Sequence, residues 1–362
     1  MPKPILIGLS PNTDKTDTCL ALKLLLQPWR WQKGDALVKL AAILKKYFNL
    51  PHCYLVNAGR SALYLGLKSL NLNSGDEVLH QGFTCPVVPQ AIIKVGAKPI
   101  AVKHNQNDFN LSVRDLARKI TSRSRAVIIQ HTFGQPDDLT NIQSLCHQHN
   151  LILIEDCAHV LGARYQGKPI GNFGDLTVLS FGRDKVISSV FGGALLSRQP
   201  LTLPELIYPD KLWIAKQLLH PLIFSVAVPT YFSLGKIIIG FCRAFKLITL
   251  PLLDLPVQLL PNALAQLVLH QWQKLDRLNC HRREIAQVYS KAFHQPFNPE
   301  AIYLRFPLVV KDPAGLIKFA KTKHVWLGDW YDKKIINLPT HIRMNLTDAT
   351  RVIKIVKAYV NH

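Results

Sequence analysis

Acidic residues are scarce. The 362 residues include 23 Asp and Glu against 44 Lys and Arg, a net charge of +21. Such an excess favours anionic partners, whether acidic lipid, phosphorylated small molecules or nucleic acid. No basic run interleaved with aromatics occurs, so nucleic acid is not an expected partner. The seven cysteines are odd in number and include no Cys-x-x-Cys pair. That argues against a disulfide framework and against a zinc site, so no metal is expected, and reduced thiols fit a cytoplasmic chain. The first eight residues lack the apolar core of a signal peptide. There is no internal repeat and no low-complexity segment. Charged residues make up only 19% of the chain and apolar ones 48%, so long disordered tails are not expected and a substantial core is.

From residue 52 to about 200, short apolar segments alternate with helical stretches. Strands are expected at 77–81, 98–102, 126–130, 151–155, 176–180 and 193–197, and helices at 60–70, 86–95, 112–120 and 138–149. Uniformly apolar strands separated by helices imply a mainly parallel sheet covered on both faces. Ligands in such sheets sit at the carboxyl ends of the strands. Further on, 262–295 reads as one long amphipathic helix. The remainder reads as a small α+β unit, with a strand at 303–310 and helices at 313–322 and 347–360.

Several residues at predicted strand ends can carry chemistry. Lys185 lies between a strand and a Gly pair; a desolvated lysine there can lose its proton and attack an aldehyde, although a lone lysine is more often solvated. Asp156 ends an apolar strand, where a carboxylate can pair with a ring nitrogen or cap the next helix. Gly59, Arg60 and Ser61 open a helix, which offers free N–H groups and a hydroxyl to a phosphate, or simply an ordinary helix start. Ser180 can add a second hydroxyl. Phe83 can stack on a planar ring or belong to the core. His159, three residues after Asp156, can reach the same ring or sit satisfied on a helix face. Arg183 fits a structural or substrate-facing role better than a catalytic one.

Phosphate turn, stacking aromatic, acid and lysine follow one another in a single order. With the segments Gly-Arg-Ser-Ala-Leu at 59–63, Phe-Thr-Cys-Pro at 83–86, His-Thr-Phe-Gly-Gln-Pro at 131–136, Glu-Asp-Cys-Ala-His at 155–159, Ser-Phe-Gly-Arg-Asp-Lys at 180–185 and Asn-Leu-Pro-Thr-His at 337–341, the chain resembles the DegT/DnrJ/StrS-type sugar aminotransferases. These are a branch of the fold-type I enzymes that use pyridoxal 5'-phosphate (PLP). The resemblance implies an α/β fold-type I PLP-transferase with a mainly parallel sheet flanked by helices and a small C-terminal α+β domain. It implies Lys185 as the Schiff-base lysine and proton shuttle, Asp156 against the pyridine nitrogen and Phe83 stacked on the ring. Gly59, Arg60, Ser61 and Ser180 would hold the phosphate, with His159 against the cofactor. A lysine at 185 also separates the chain from the family's dehydratases, which carry histidine there. The implied reaction takes an amino group from an amino acid, usually glutamate, to a nucleotide- or lipid-linked keto-sugar, in surface polysaccharide or glycoconjugate biosynthesis, on a homodimer.

On this basis residues 1–200 form a large PLP-binding domain, 201–261 an apolar insert, and 262–362 a long helix with the small domain. Two features depart from the family. The Asn-x-Arg that usually precedes the long helix is missing, and Asn262 is out of register. The C-terminal domain passes from Gly-Asp-Trp-Tyr-Asp at 328–332 to the next strand without the longer segment of its relatives. That shortening motivates a second reading, a non-catalytic PLP-binding regulator or scaffold at the membrane. Within the insert, nineteen residues at 217–235 carry no charge, nearly the ~20 that a spanning helix needs. Pro221 and Pro229 interrupt them, so a straight transmembrane helix is not expected. A hairpin against the cytoplasmic leaflet is expected instead, flanked by Lys211, Lys216, Lys236, Arg243 and Lys246; a dimer interface or a cover over the core is the alternative. The protein would then be cytoplasmic, at the inner face of the membrane if 203–260 docks there.

Overall fold

The computed structural model describes residues 3–105, 108–249, 256–331 and 334–360. Residues 250–255 of the apolar insert and 332–333 of the shortened segment lie outside them. A two-residue strand at Ile5–Leu6, paired parallel with Val325–Trp326, precedes two helices, α1 (Lys15–Leu25) and α2 (Asp35–Phe48). α1 begins with a capping box, in which the Asp14 carboxylate accepts the Asp17 N–H and Asp17 returns a bond to the Asp14 N–H.

The chain then weaves a seven-stranded sheet. Its strands are β1 (His52–Val56), β2 (Glu77–Gln81), β3 (Lys98–Val102), β4 (Ser124–Ile129), β5 (Ile152–Asp156), β6 (Leu176–Ser180) and β7 (Gly193–Ser197). They lie in the order β1-β7-β6-β5-β4-β2-β3. All neighbours are parallel except β7, which is antiparallel to both β1 and β6. Helices α3 (Gly59–Lys68), α4 (Val87–Lys94), α5 (Val113–Lys119) and α6 (Leu139–Gln148) make the crossovers. The uniformly apolar strands have a simple cause. Leu79, Val127, Ile129 and Leu153 bury one face of the sheet, while Val78, Ala126, Ile128 and Ile154 bury the other. Period-two alternation is present, but both phases are inside.

After the sheet come α7 (Lys211–Ala227) and α8 (Lys236–Ala244), joined by a turn through Tyr231–Gly235. The single long helix expected at 262–295 is two helices, α9 (Asn262–Trp272) and α10 (Leu275–Phe293). At the break the Lys274 N–H bonds to Gln271 O, three residues back, and this tightens the turn. The Lys274 ammonium lies 2.9 Å from Asp14 and 3.0 Å from Asp17 at the start of α1. The strand expected at 303–310 is limited to β8 (Phe306–Val309), because Tyr303 sits at φ +48°, outside extended geometry. β8 pairs antiparallel with β9 (Ile335–Leu338). α11 (Pro313–Thr322) and α12 (Leu346–Val360) share a core with them that includes Phe306, Leu316 and Val352.

Just after β4, burial pushes the Asp137 carboxyl up to about 7, against the pull of His131 and two backbone N–H groups. The folded chain therefore keeps this proton between the ordinary carboxylate range and about pH 7, where the unfolded chain has released it. The stability this contributes is present at acid pH and lost as pH rises through that window. Asp137→Asn should consequently raise the thermal midpoint over the parent more at about pH 8 than at about pH 4.5. Paired melting curves at the two pH values check this.

Candidate active site

The carboxyl ends of β5 and β6 and the amino end of α3 meet around one cavity of about 450 Å³. Gly59, Arg60, Asp156, Ser180 and Lys185 all line it. Asp156 is the last residue of β5. One carboxylate oxygen accepts the Ala158 N–H at 3.0 Å, so the residue caps the turn after the strand while its side chain still borders the cavity. Lys185 is on the arm between β6 and β7. That arm is pinned from two sides: Asn12 donates to Lys185 O at 2.6 Å, and the buried Arg282 of α10 donates to Val186 O at 2.6 Å.

Burial sets the electrostatics. It lowers the Lys185 amine below the ordinary lysine range, with Asp156 opposing, and raises the Asp156 carboxyl, with Lys185 opposing. Burial thus favours the uncharged, nucleophilic form of this amine relative to an exposed lysine. Burial also drives His159 well below the usual imidazole range, helped by the charges of Lys185 and Arg305, so its ring is neutral.

The amino end of α3 carries no side-chain cap, because its N-cap is Ala58. Arg60 adds a buried Nη1 without a hydrogen-bond partner, and burial lowers its guanidinium. A Cβ on Gly59 would stand 2.6 Å from the Ser180 Cβ, and one on Gly193 would stand 2.5 Å from the Ala58 carbonyl carbon. Only glycine lets these backbones close round the cradle. Ser61 turns elsewhere: its hydroxyl donates to Asn57 Oδ1 at 2.7 Å.

Phe83 and His159 stand one layer behind the cavity, with Trp330 and Tyr331 in front of them. His159 stacks on Trp330 at 5.1 Å and 16°. Tyr331 meets Phe83 edge-on at 5.5 Å and lies parallel to His159 at 6.1 Å, its hydroxyl 3.4 Å from His159 Nε2. Arg305, buried and lowered to about 10, places its guanidinium carbon 3.6 Å from the Trp330 ring centroid. Trp330 and Tyr331 were not singled out from sequence as site residues, because the 328–332 segment showed only as a shortening, and Arg305 was not, because nothing near it in sequence marks it as facing the site. Arg183 donates to Thr249 O and lies over Phe191 at 5.3 Å. Asn262 is structural: it accepts the Ala36 N–H at 3.1 Å and donates to Arg30 O at 2.8 Å, serving the uncapped start of α2.

His131, Glu155 and Cys157 cluster below Asp156. Glu155 already accepts N–H groups from Gly171, Phe173 and Gly174, with His131 Nε2 at 3.3 Å, so this cluster works as a hydrogen-bonded brace.

A mainly parallel seven-stranded sheet with one reversed strand, and a buried lysine on the arm leading into it, define a fold-type I PLP transferase. Solved structures agree in fold. The Helicobacter pylori PseC aminotransferase superposes with a TM-score of 0.76 at 18% identity, over 99% of this chain and 100% of that one. The PLP form of the putative sugar aminotransferase Spr1654 from Streptococcus pneumoniae gives 0.76 at 18%, over 100% and 98%. The chain belongs to the DegT/DnrJ/EryC1/StrS aminotransferase family, whose sequence profile matches residues 12–206. It is 32% identical to the GDP-perosamine synthase of Vibrio cholerae over 177 residues, 49% of this chain and 48% of the relative. It is 30% identical to the pleiotropic regulatory protein of Geobacillus stearothermophilus over 46% and 45%. The chain thus spans about half the length of the curated relatives it matches.

The residues present suit the family's cofactor. An orphaned guanidinium beside an uncapped helix start fits a phosphate, and a buried amine and a buried carboxylate share the same cavity. Arg60→Ala should weaken PLP binding by about 10–100-fold, the worth of one hydrogen bond to a charged group, with little change in thermal midpoint. Titrating the apoprotein with PLP and following its visible absorbance measures this.

Proposed function

We propose that this chain is a PLP-dependent aminotransferase that takes an amino group from an amino acid, glutamate being the favoured donor, and delivers it to a keto-sugar carried on a nucleotide or lipid, in surface polysaccharide or glycoconjugate biosynthesis. The observation that carries the reading is the convergence on one cavity of a buried, depressed lysine amine, a buried carboxylate, and an anion cradle made by the uncapped start of α3 and the unpartnered Arg60 Nη1. The cofactor, when bound, supplies an electron sink for the carbon that loses its proton. The protein's own tasks are positional. Lys185 holds the cofactor and moves the substrate proton at Nζ. Asp156 supports a protonated ring nitrogen. Arg60, Ser180 and the Gly59 end of α3 grip the phosphate, and Phe83 and His159 back the ring. Trp330, Tyr331 and Arg305 wall the side from which a sugar would approach. A homodimer is part of this reading, and light scattering of the purified protein tests it.

The test is a donor screen on PLP-loaded protein. One amino acid should discharge the visible absorbance and release its keto acid in equal amount, and a keto-sugar should restore the absorbance. A second reading, a PLP-binding regulator, draws on the likeness to the pleiotropic regulatory protein and on Trp330 and Tyr331 standing in front of Phe83 and His159. Tight PLP binding with no response to any donor would select it and reject the first.

A further inference from the structure

The structure divides the insert that sequence placed against a membrane. α7 is a packed helix, with Ile214, Leu218, Phe224 and Ala227 buried and α1 alongside. No helix among the described residues is long and apolar enough to cross a membrane. α8 and the turn before it behave differently. Ile239 and Cys242 point inward, whereas Leu234, Ile237, Phe241 and Phe245 recur every three or four residues and are 61, 67, 57 and 62% exposed. The Phe241 and Phe245 rings lie 4.3 Å apart, so this outward stripe is continuous. An apolar stripe of this kind on a soluble surface marks a contact site.

Charge identifies the occupant. Residues 211–249 contain Lys211, Lys216, Lys236, Arg243 and Lys246 and not one Asp or Glu. Two copies meeting through this face about a two-fold axis would bring Lys236, Arg243 and Lys246 of each against those of the other. An anionic surface would neutralise them. We propose that α8 docks in the plane of an anionic lipid leaflet, with Leu234, Ile237, Phe241 and Phe245 in the boundary between headgroups and acyl chains and the basic side chains reaching back to the headgroups. A cleft of about 840 Å³ beside the same hairpin is bordered by Phe224, Val228 and Phe232 and, among charged side chains, by Lys3, Lys15 and Arg343 against one acid, Asp14. The docking stands apart from the amino-transfer reading and does not depend on it.

Sedimentation of the full PLP-loaded chain with vesicles tests this. The protein should pellet with mixed phosphatidylcholine–phosphatidylglycerol vesicles, stay in solution with phosphatidylcholine alone, and be partly released by salt. Phe241→Ser with Phe245→Ser should lower partitioning about ten-fold or more. Lys236→Gln, Arg243→Gln and Lys246→Gln together should remove most of the salt-sensitive part. Circular dichroism and the visible absorbance of bound PLP should match the parent in both variants, since these side chains are exposed. The proposal is overturned if acidic vesicles leave the protein in solution, or if both variants pellet like the parent. It is also overturned if the Phe variant instead dissociates an oligomer that ignores vesicles, because the face would then join copies of the chain.

Discussion

Lys185→Ala is expected to lower amino transfer by about 10²–10⁴-fold through loss of the proton shuttle alone, the range a positioned acid–base group supplies. Loss of the covalent hold on the cofactor adds to this. The expectation rests on placement. The amine is buried, depressed by that burial, and shares its cavity with Asp156. The effect should be chemical, not structural. The arm that bears the lysine is held through main-chain carbonyls, Lys185 O by Asn12 and Val186 O by Arg282, and alanine keeps both bonds. Removing a buried amine also removes its desolvation cost. The loss of its attraction to the buried Asp156 carboxylate opposes that gain, so the variant should melt close to the parent, still bind PLP through the phosphate cradle, and lack the parent's lysine-linked visible band. Rate, melting curve and absorbance, measured together, separate this result from simple unfolding. A variant that keeps most of its rate would remove Lys185 from the chemistry.

Glu155→Ala should destabilise the fold by about 3–5 kcal/mol, the cost of breaking a buried hydrogen-bonded charge network. The side chain is fully buried and accepts from Gly171 at 3.0 Å, Phe173 at 2.7 Å and Gly174 at 2.5 Å. Alanine would strand the buried Gly171 and Gly174 donors and the half-buried Phe173 donor, at about 1–3 kcal/mol for each buried one left unmade. Glu155→Gln keeps one acceptor oxygen and should lose less. Thermal melts of the three proteins should rank them parent, Gln, Ala. Because the brace joins β5 to the loop entering β6, the Ala variant should also bind PLP less tightly. A variant that melts with the parent would show that the loop finds other acceptors.

β4 and β5 were legible because burial on both faces leaves apolar runs, and the expected 77–81, 98–102, 176–180 and 193–197 match β2, β3, β6 and β7 residue for residue. Gly59, Arg60, Asp156 and Ser180 stand at element ends that a parallel sheet brings to one edge, and with Lys185 on the following arm they line one cavity, which the resemblance, not any one of them alone, pointed to. Other features depend on contacts distant in sequence. Nothing local marks the break at Gln273 and Lys274; the amphipathic period runs through it, and the ammonium's partners are over 250 residues away. The orientation of Ser61 follows from Asn57 and is invisible to spacing. α7 is half covered because α1 lies on it, although Leu212 and Val226 stay exposed, whereas the outward stripe of α8 has no neighbour among the described residues. Trp330 and Tyr331 reach the site through the pairing of β8 with β9, which their own neighbourhood does not encode. α1, by contrast, was readable and passed over: Asp14 and Asp17 spell out its capping box.

Gly193 has a consequence for how such a site can diversify. As the first residue of the reversed strand it pairs with Ser180 on one side and Val56 on the other, against the Ala58 backbone. The lysine-bearing arm and the anion grip are thus two jaws of one stiff clamp, and neither can be retuned without disturbing its opposite. Trp330 and Tyr331 instead meet the site through side chains alone, against Phe83 and His159 and under Arg305, so an engineer seeking altered selectivity should leave the clamp alone and randomise that wall.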